Sequence, residues 1–126
     1  MPTPKRPTEA EMNILGVIWE RGSATVREVF EELQATQDTG HTTVLKLMQI
    51  MVEKGLLERD ADVRPQVFRA TQPRKKTQNL LVRDLLDRAF SGSPSALVVQ
   101  ALSLRKSSPE QLQEIRELID RLEDQS

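Results

Sequence analysis

The chain has 126 residues, enough for one small domain with an appendage, and its 18 basic and 19 acidic side chains leave a net charge of −1. Its 37% hydrophobic and 29% charged residues are typical of a globular protein and exclude a disordered one. One tryptophan, three phenylalanines and no tyrosine argue against a single-stranded nucleic-acid binder, because such proteins stack bases on aromatic side chains.

An N-terminal arm and a helix are predicted first. Residues 1–7 contain three prolines and are expected to form a flexible arm. The first helix begins at Thr8, which can form a capping box with Glu11, since each side chain accepts the backbone N–H of the other residue. Apolar residues at helical spacing follow, and Gly22 ends the helix.

Two more helices follow in the same half of the chain. Thr25 and Glu28 form the second predicted capping box, and residues 42–54 form the third predicted helix, which ends at Gly55. At about 100° per residue, the inward stripe of the third helix consists of Val44, Leu47, Met48 and Met51. Its outward positions are Thr42, Thr43, Lys46, Gln49, Ile50 and Glu53. The third helix therefore presents a polar surface over its first turns.

A hairpin is predicted after the third helix. Residues 56–59 and 66–70 are rich in apolar and strand-forming residues, and the polar connection 60–65 favours an antiparallel pairing. Three helices followed by a hairpin are the order of a winged helix-turn-helix. We therefore predict a mainly α fold with a small β-hairpin wing, in which a winged-helix domain occupies residues 1–72.

A helical dimerisation region is predicted over residues 73–126. Three helical segments lie there without any strand signal, and Pro94 and Pro109 mark the starts of the second and third. Their large apolar side chains are too many to leave exposed, but three short helices are too small to enclose a core alone. A second copy of the chain could cover them, and folding back onto the first domain is the alternative. The predicted dimer contacts are Leu81, Leu85, Leu86, Phe90, Leu97, Val98, Leu102, Leu112, Ile115, Ile119 and Leu122.

The placement of the basic residues is more informative than their number. Residues 73–90, the most basic segment, carry five basic and two acidic side chains, which is below the surplus of a bulk phosphate binder. In the first domain the acidic residues cluster on the first two helices. The third helix and the hairpin, in contrast, carry Lys46, Lys54, Arg64 and Arg69.

The third helix, residues 42–54, is the candidate recognition helix for double-stranded DNA. Threonine hydroxyls can bind base edges or phosphates, and Lys46 can reach guanine or phosphate. The hairpin is the candidate wing, with its tip at residues 60–65, because Arg64 and Arg69 could contact backbone phosphates. The predicted DNA-binding residues are Thr42, Thr43, Lys46, Gln49, Lys54, Arg64 and Arg69. The same spacing is equally compatible with a solvated protein surface.

Residues that support catalysis or metal binding are scarce. The absence of cysteine excludes disulfides, thiolate metal sites and cysteine nucleophiles, and the single histidine, His41, excludes a pair of histidine ligands. No Gly-rich phosphate loop or nucleophile elbow is visible. We therefore expect no catalytic residue, no metal and no cofactor. His41 is expected to pack or cap a helix, and Trp19 to anchor the core between the first helix and the hairpin.

Signals for membranes and export are missing from the sequence as well. The uninterrupted apolar stretches are only a few residues long, far short of a membrane-spanning helix. No apolar segment follows the basic pair Lys5-Arg6, as it would in a signal peptide. We therefore expect a cytoplasmic protein without membrane insertion.

Several stretches of the sequence are similar to one family of bacterial proteins. The first domain contains EAEMNILGVIWERGSATVREVFEEL, TGHTTVLKLMQIMVEKGLLERD and VFRAT, and the later part contains LVRDLLDRAFSGSPSALVVQAL and SPEQLQEIRELIDRL. With these stretches, the chain resembles the penicillinase-repressor family of transcription regulators (the BlaI/MecI/CopY type). The resemblance covers roughly residues 8–124.

The resemblance implies a homodimeric repressor that binds a palindromic operator in double-stranded DNA. The N-terminal winged helix would read the operator and the C-terminal helices would dimerise, so that the two-fold axes of protein and DNA coincide. By position, Thr42, Thr43 and Lys46 match the recognition-helix contacts of the family, and Arg64 falls in the wing.

Three departures from the family pattern limit what the resemblance implies. Relatives often carry a basic residue where this chain has Ile50. Copper-responsive members carry a C-terminal cysteine cluster, which this chain lacks, so sensing of that type is excluded. In antibiotic-responsive members a sensor-protease system leads to cleavage of an Asn-Phe bond, and the matching position here is Gln100-Ala101. Release by proteolysis within residues 91–104 is therefore a hypothesis from the family alone.

The predicted function is a cytoplasmic, dimeric transcriptional repressor. One alternative is a winged-helix protein-interaction module without sequence-specific DNA binding, which the weak basic character and Ile50 favour. A second alternative is a small enzyme that uses His41 or the acidic helices, for which no catalytic arrangement is visible in the sequence.

Overall fold

The computed structural model describes residues 6–125, which form six helices and one two-stranded sheet. The helices are α1 (Glu9–Arg21), α2 (Val26–Gln34), α3 (His41–Lys54), α4 (Arg74–Ala89), α5 (Pro94–Leu104) and α6 (Pro109–Asp124). The strands are β1 (Leu57–Asp60) and β2 (Val67–Ala70). The predicted fold class and order of elements are confirmed. Residues 1–5 of the predicted arm lie outside the described residues.

Both predicted capping boxes are present. Thr8 Oγ1 accepts the Glu11 N–H at 3.2 Å, and Glu11 Oε1 accepts the Thr8 N–H at 2.9 Å. The corresponding distances between Thr25 and Glu28 are 3.1 and 2.8 Å. These bonds satisfy N–H groups that the first turn of a helix otherwise leaves without a partner, and they define where α1 and α2 begin.

The core lies between α1, α2, α3 and the hairpin. Its fully buried side chains include Ile14 and Ile18 from α1, Val29 from α2 and Phe68 from β2. From the predicted inward stripe of α3, the fully buried residues are Val44, Met48 and Met51. Leu47 is only half-buried at the edge of the stripe.

A third extended segment pairs with the hairpin and was not predicted. Ala24, between α1 and α2, forms an antiparallel bridge with Phe68 of β2. The Ala24 N–H donates to the Phe68 carbonyl at 3.0 Å, and the Phe68 N–H donates back at 2.8 Å. β1 and β2 pair in antiparallel register from Leu57 opposite Ala70 to Asp60 opposite Val67. The wing is therefore joined to the helices by backbone hydrogen bonds as well as by the core.

Trp19 lies at the edge of the core, where α1 meets the start of α4. It is half-buried, and its indole N–H donates to the carbonyl of Gln72 at 3.0 Å. The guanidinium of Arg74 lies 5.7 Å from the centre of the Trp19 ring and donates to Glu20 at 3.1 Å. Trp19 therefore contacts the hairpin through Gln72, two residues after the end of β2.

Replacing Trp19 by phenylalanine is expected to lower the free energy of unfolding by about 1 kcal/mol, because the Gln72 carbonyl loses its donor. Urea unfolding followed by far-ultraviolet circular dichroism measures the change. Arg74→Gln is the matched control: it removes the cation but keeps the indole hydrogen bond, and it is expected to change stability by less than ~1 kcal/mol. Unchanged stability in Trp19→Phe would contradict a stabilising role for this bond.

The described chain divides into two compact units, one up to Leu81 and one from Val82 onwards. This boundary lies within α4, whereas the boundary predicted from the sequence lies before α4, between residues 72 and 73. In the first unit, Thr77 on α4 is buried. The functional boundary at residues 72 and 73 remains a prediction.

The second unit leaves large apolar side chains exposed. Within residues 6–125, neither α5 nor α6 contains a buried residue. The predicted dimer contacts that are exposed are Leu85, Val98, Leu102, Ile119 and Leu122. Those that are half-buried are Leu81, Leu86, Phe90, Leu97, Leu112 and Ile115. The prediction that these helices cannot enclose a core of their own therefore agrees with their burial.

Candidate nucleic-acid interface

The first turns of α3 carry most of the predicted site. Thr42, Thr43, Lys46 and Gln49 are all exposed. The N-cap of the helix is Gly40, and within the described chain no side chain caps this end and no acidic residue lies in the first turn. The positive end of the helix dipole is therefore left open, which favours an anion such as a phosphate.

Two other outward positions of α3 differ in their exposure. Glu53 is exposed as predicted, but Ile50 is half-buried and faces solvent with only part of its side chain. Leu45, for which no role was predicted, is 36% exposed. Ile50 and Leu45 therefore interrupt the outward surface of α3 with apolar side chains, while Thr42, Thr43, Lys46 and Gln49 form its exposed polar part towards the N-terminus.

Lys54, at the C-terminal end of α3, is held by a carboxylate of α1. Its Nζ donates to both oxygens of Glu11, at 2.7 and 2.9 Å. Glu11 is only 2% exposed and the Lys54 side chain 21% exposed. Burial raises the pKa of Glu11, but hydrogen bonds from Lys54 and Thr8 and the lysine charge outweigh it, so this pKa is lowered. Because its charge is engaged inside the fold, we leave Lys54 out of the proposed interface.

The wing carries both predicted arginines on its surface. Arg64 is exposed and donates to the Ala61 carbonyl at 3.4 Å. Arg69 is exposed on β2, directly opposite Glu58 of β1. Asp60 and Asp62 flank the turn as well, and the Asp62 N–H donates to Asp60 Oδ1 at 3.0 Å. The wing therefore carries mixed charge, and only its arginines can attract a phosphate.

An open groove of about 270 Å³ separates the wing from the starts of α2 and α3. Its lining residues are Thr25, Val26, Arg27, His41, Leu45, Gln49, Arg59, Pro65, Gln66 and Phe68. Among these residues, all in the described part of the chain, there is no carboxylate. Gln49 is the one predicted DNA-binding residue among them. The groove therefore adds cationic and apolar groups to the polar end of α3.

Arg59 was missed by the sequence prediction, although a signal for it exists. Side chains alternate along a strand, so Arg59 lies on the same face of β1 as the buried Leu57. That face is directed towards the helices, and at Arg59 the hairpin extends past the core into the groove. Arg27 also lines the groove, and it forms an exposed ion pair with Glu31 at 3.0 Å.

The remaining candidates show no catalytic arrangement. His41 is the first residue of α3 and contacts the ring of Phe30 edge-on, with ring centres 5.4 Å apart. Over residues 6–125, no group of three His, Cys, Asp or Glu side chains is placed to hold a metal ion. No helix in that range is long and apolar enough to cross a membrane.

Comparison with known proteins identifies the family. The family described as "Penicillinase repressor" matches residues 7–121 of this chain. The chain belongs to the penicillinase repressor family. Because this is a family of transcriptional repressors, the chain is not an enzyme, as predicted.

Curated members of the family match nearly the whole repressor chain. The penicillinase repressor of Bacillus licheniformis is 22% identical over 113 residues, which span 90% of this chain and 88% of the relative. The methicillin resistance regulatory protein MecI of Staphylococcus aureus is 18% identical over 114 residues, which span 90% of this chain and 93% of the relative. The predicted family resemblance is confirmed.

A solved structure supports the fold of this family member. It is the solution structure of the Bacillus licheniformis BlaI monomeric form in complex with the blaP half-operator, with a TM-score of 0.52 and 24% sequence identity. The match covers 60% of this chain and 92% of that chain. The likeness confirms the winged-helix fold class that was predicted for this repressor.

Proposed function

We propose that this protein is a cytoplasmic, dimeric bacterial repressor that binds a palindromic operator through α3 and the wing and blocks access of RNA polymerase. The observation that carries the proposal is the open, polar N-terminal half of α3 beside the cation-lined groove. The BlaI structure to which the chain is similar contains a half-operator, which supports duplex DNA as the partner. The cytoplasmic location follows from that partner.

The recognition helix of the proposal occupies residues 42–54, and its first turns contact the bases. The DNA major groove is wide enough for an α-helix and presents a distinct set of donors and acceptors for each base pair. The exposed hydroxyls of Thr42 and Thr43, the ammonium of Lys46 and the amide of Gln49 match those groups. The uncapped start of α3 adds an attraction for a backbone phosphate.

The wing of the proposal, with its tip at residues 60–65, contacts the DNA backbone. Arg64, Arg69 and Arg59 can each approach a phosphate, and such contacts set the register of the protein on the duplex without reading its sequence. Asp60 and Asp62 repel the same phosphates. The wing is therefore expected to contribute only a small number of phosphate contacts.

Dimerisation is the second part of the proposal and rests on the apolar surface of the second unit. Exposed leucine, isoleucine and valine side chains on α4, α5 and α6 need a cover, and contiguous apolar patches of this kind mark association sites. A two-fold symmetric pairing covers both copies with the same residues and matches the symmetry of a palindrome.

Release of the operator is the third part. We propose that cleavage within residues 91–104, by a sensor-protease system, would separate the dimer contacts of α4 from those of α6. Gln100 and Ala101 are both exposed on α5. Mass spectrometry of the protein from induced cells tests this, and full-length chain alone after induction would contradict it.

The DNA-binding part is tested by fluorescence anisotropy with the chain's own upstream DNA and a scrambled duplex. Specific binding is expected to exceed binding to the scrambled duplex by at least ~10³-fold. The logarithm of the binding constant should fall with that of the salt concentration by about 0.9 per neutralised phosphate. Lys46→Ala and Arg64→Ala should weaken binding, and each should lower this slope if its cation contacts a phosphate.

Lys106→Ala is the matched control, because it removes an exposed lysine of the second unit and should leave DNA affinity unchanged. Equal and weak binding to both duplexes, with no effect of Lys46→Ala or Arg64→Ala, would contradict operator binding. The winged helix would then be a protein-docking surface, which is the alternative function.

A further inference from the structure

Leu45 is a large apolar side chain beside the polar surface of α3. It is 36% exposed, whereas the three core positions of α3, Val44, Met48 and Met51, are fully buried. Leu45 therefore lies outside the inward stripe that packs the core. His41, Leu45 and Gln49 follow one another at intervals of four residues, and all three line the groove beside the wing.

The groove around Leu45 is suited to an anionic partner with an apolar group. Its walls carry the guanidinium group of Arg59 and that of Arg27, which also pairs with the exposed Glu31 at 3.0 Å, and no carboxylate lies among its lining residues in the described chain. The buried ring of Phe68 and the half-buried Val26 continue the apolar surface of Leu45. Cations around a small apolar wall match the major groove of DNA, where phosphates border exposed thymine methyl groups.

Gln49 indicates which base pairs lie at this wall. A glutamine amide can bind the N6 and N7 positions of adenine in two hydrogen bonds, and apolar side chains contact the 5-methyl group of thymine. Leu45 and Gln49 are one helical turn apart, so their side chains lie about 5–6 Å from each other. Stacked base pairs are separated by about 3.4 Å, so the two side chains can reach neighbouring base pairs.

We propose that Leu45 is a specificity-determining residue that packs on the 5-methyl group of an operator thymine, while Gln49 reads an adenine one or two base pairs away. This inference rests on the proposed function, because it requires α3 to lie in the major groove. The proposal gives a role in DNA sequence recognition to an apolar residue, Leu45. Leu45 is not one of the exposed polar residues of α3 that were predicted to bind DNA, which are Thr42, Thr43, Lys46 and Gln49.

The test removes single methyl groups from the DNA. The operator is first located by footprinting the chain's own upstream DNA, and each thymine is then replaced by deoxyuridine. One thymine in each half-site is expected to lower wild-type affinity about fourfold when replaced, which corresponds to the ~0.8 kcal/mol of one buried methyl group. Leu45→Ala should bind the thymine and deoxyuridine duplexes equally well at that position.

Two control variants separate Leu45 from its neighbours. Ile50→Ala removes a half-buried apolar side chain of the same helix that does not line the groove, and it should keep the fourfold difference. The double variant Thr42→Ser, Thr43→Ser removes the two threonine methyl groups of α3 that could also contact thymine, and it should keep the difference as well. Loss of the difference in this double variant but not in Leu45→Ala would overturn the proposal.

The remaining outcomes distinguish this inference from the proposed function. Specific operator binding without any effect of deoxyuridine on the wild-type protein would overturn the role of Leu45 but leave the repressor function intact. No specific binding to any upstream duplex would instead contradict the proposed function itself. The comparison of thymine and deoxyuridine duplexes uses the wild-type protein alone, so the inference can be tested even if Leu45→Ala is poorly folded.

Discussion

Replacing Lys54 by alanine is expected to lower the free energy of unfolding by about 3 kcal/mol. The substitution leaves the Glu11 carboxylate, 2% exposed, without the cation that binds both of its oxygens. Breaking a buried ion pair by removing one partner costs about 3–5 kcal/mol, and the lower end applies because Lys54 itself is 21% exposed. Urea unfolding at neutral pH measures the loss.

Lys46→Ala is the matched control on the same helix. Lys46 is exposed, and no carboxylate pairs with it among residues 6–125, so its removal should change stability by less than ~0.5 kcal/mol. Equal stability of Lys54→Ala and the wild-type protein would contradict a structural role for the Glu11–Lys54 pair. It would also return Lys54 to the set of cations available for DNA.

The pH dependence of this loss has a defined sign. Because the pKa of Glu11 is lowered from its ordinary value of 4.5 in the folded protein, the pair stabilises fully above that value, and its contribution is lost as the pH falls through the folded-state pKa. The stability difference between wild type and Lys54→Ala should therefore shrink below about pH 4.5, since protonation removes the buried charge. A difference that stays constant down to pH 3 would contradict this account.

Replacing Leu102 by aspartate is expected to convert the proposed dimer into a monomer and to lower affinity for the proposed palindromic operator by about 10²–10⁴-fold. Leu102 is exposed on α5 in the single chain, so a charge there is tolerated by the fold but not in an apolar interface between two copies. Affinity for a single half-site should not change, because α3 and the wing are the proposed contacts to a half-site. Analytical ultracentrifugation and anisotropy measure the two effects.

Gln113→Asp places the same charge at an exposed position of α6 outside the predicted dimer contacts. This variant should leave both the oligomeric state, measured by analytical ultracentrifugation, and the affinity for the palindromic operator unchanged. A Leu102→Asp protein that still sediments as a dimer would contradict the proposed contribution of α5, and the double variant Leu85→Asp, Ile115→Asp would then test α4 and α6.

The local structure was largely predictable because its signals lie close together in the sequence. A capping box needs two residues three positions apart, as in Thr8 with Glu11, and both predicted boxes are present. The core stripe of α3 repeats every three or four residues, and Val44, Met48 and Met51 are buried as expected. The hairpin was recognisable from its apolar strands and polar connection.

The missed contacts join residues that are far apart in the sequence. The Glu11–Lys54 pair spans 43 positions and the Trp19–Gln72 hydrogen bond 53 positions, and no local pattern indicates either of them. The bridge from Ala24 to Phe68 is made by backbone atoms, for which residue type gives little information. Such contacts depend on how the elements pack, and packing is decided by the whole fold.

The candidate interface was predictable only in part for the same reason. Helical spacing correctly placed Thr42, Thr43, Lys46 and Gln49 on the outside of α3, although their contact with DNA remains a prediction. Helical spacing could not show that the ammonium group of Lys54 would pair with the carboxylate of Glu11 on α1. The groove formed by Leu45 and Arg59 appears only when β1 is brought beside α3, which is a property of the tertiary structure.

The position of Trp19 determines what intrinsic fluorescence can report on this protein. It is the single tryptophan, and the chain has no tyrosine, so the indole fluorescence of the protein arises from one side chain, beside Gln72 and Arg74. Emission will follow changes at the junction between α1 and α4 in the first unit. Neither α5 nor α6 contains a tryptophan or tyrosine of its own, so a fluorescence titration reports on the first unit and is best paired with circular dichroism, which records the helices of the second.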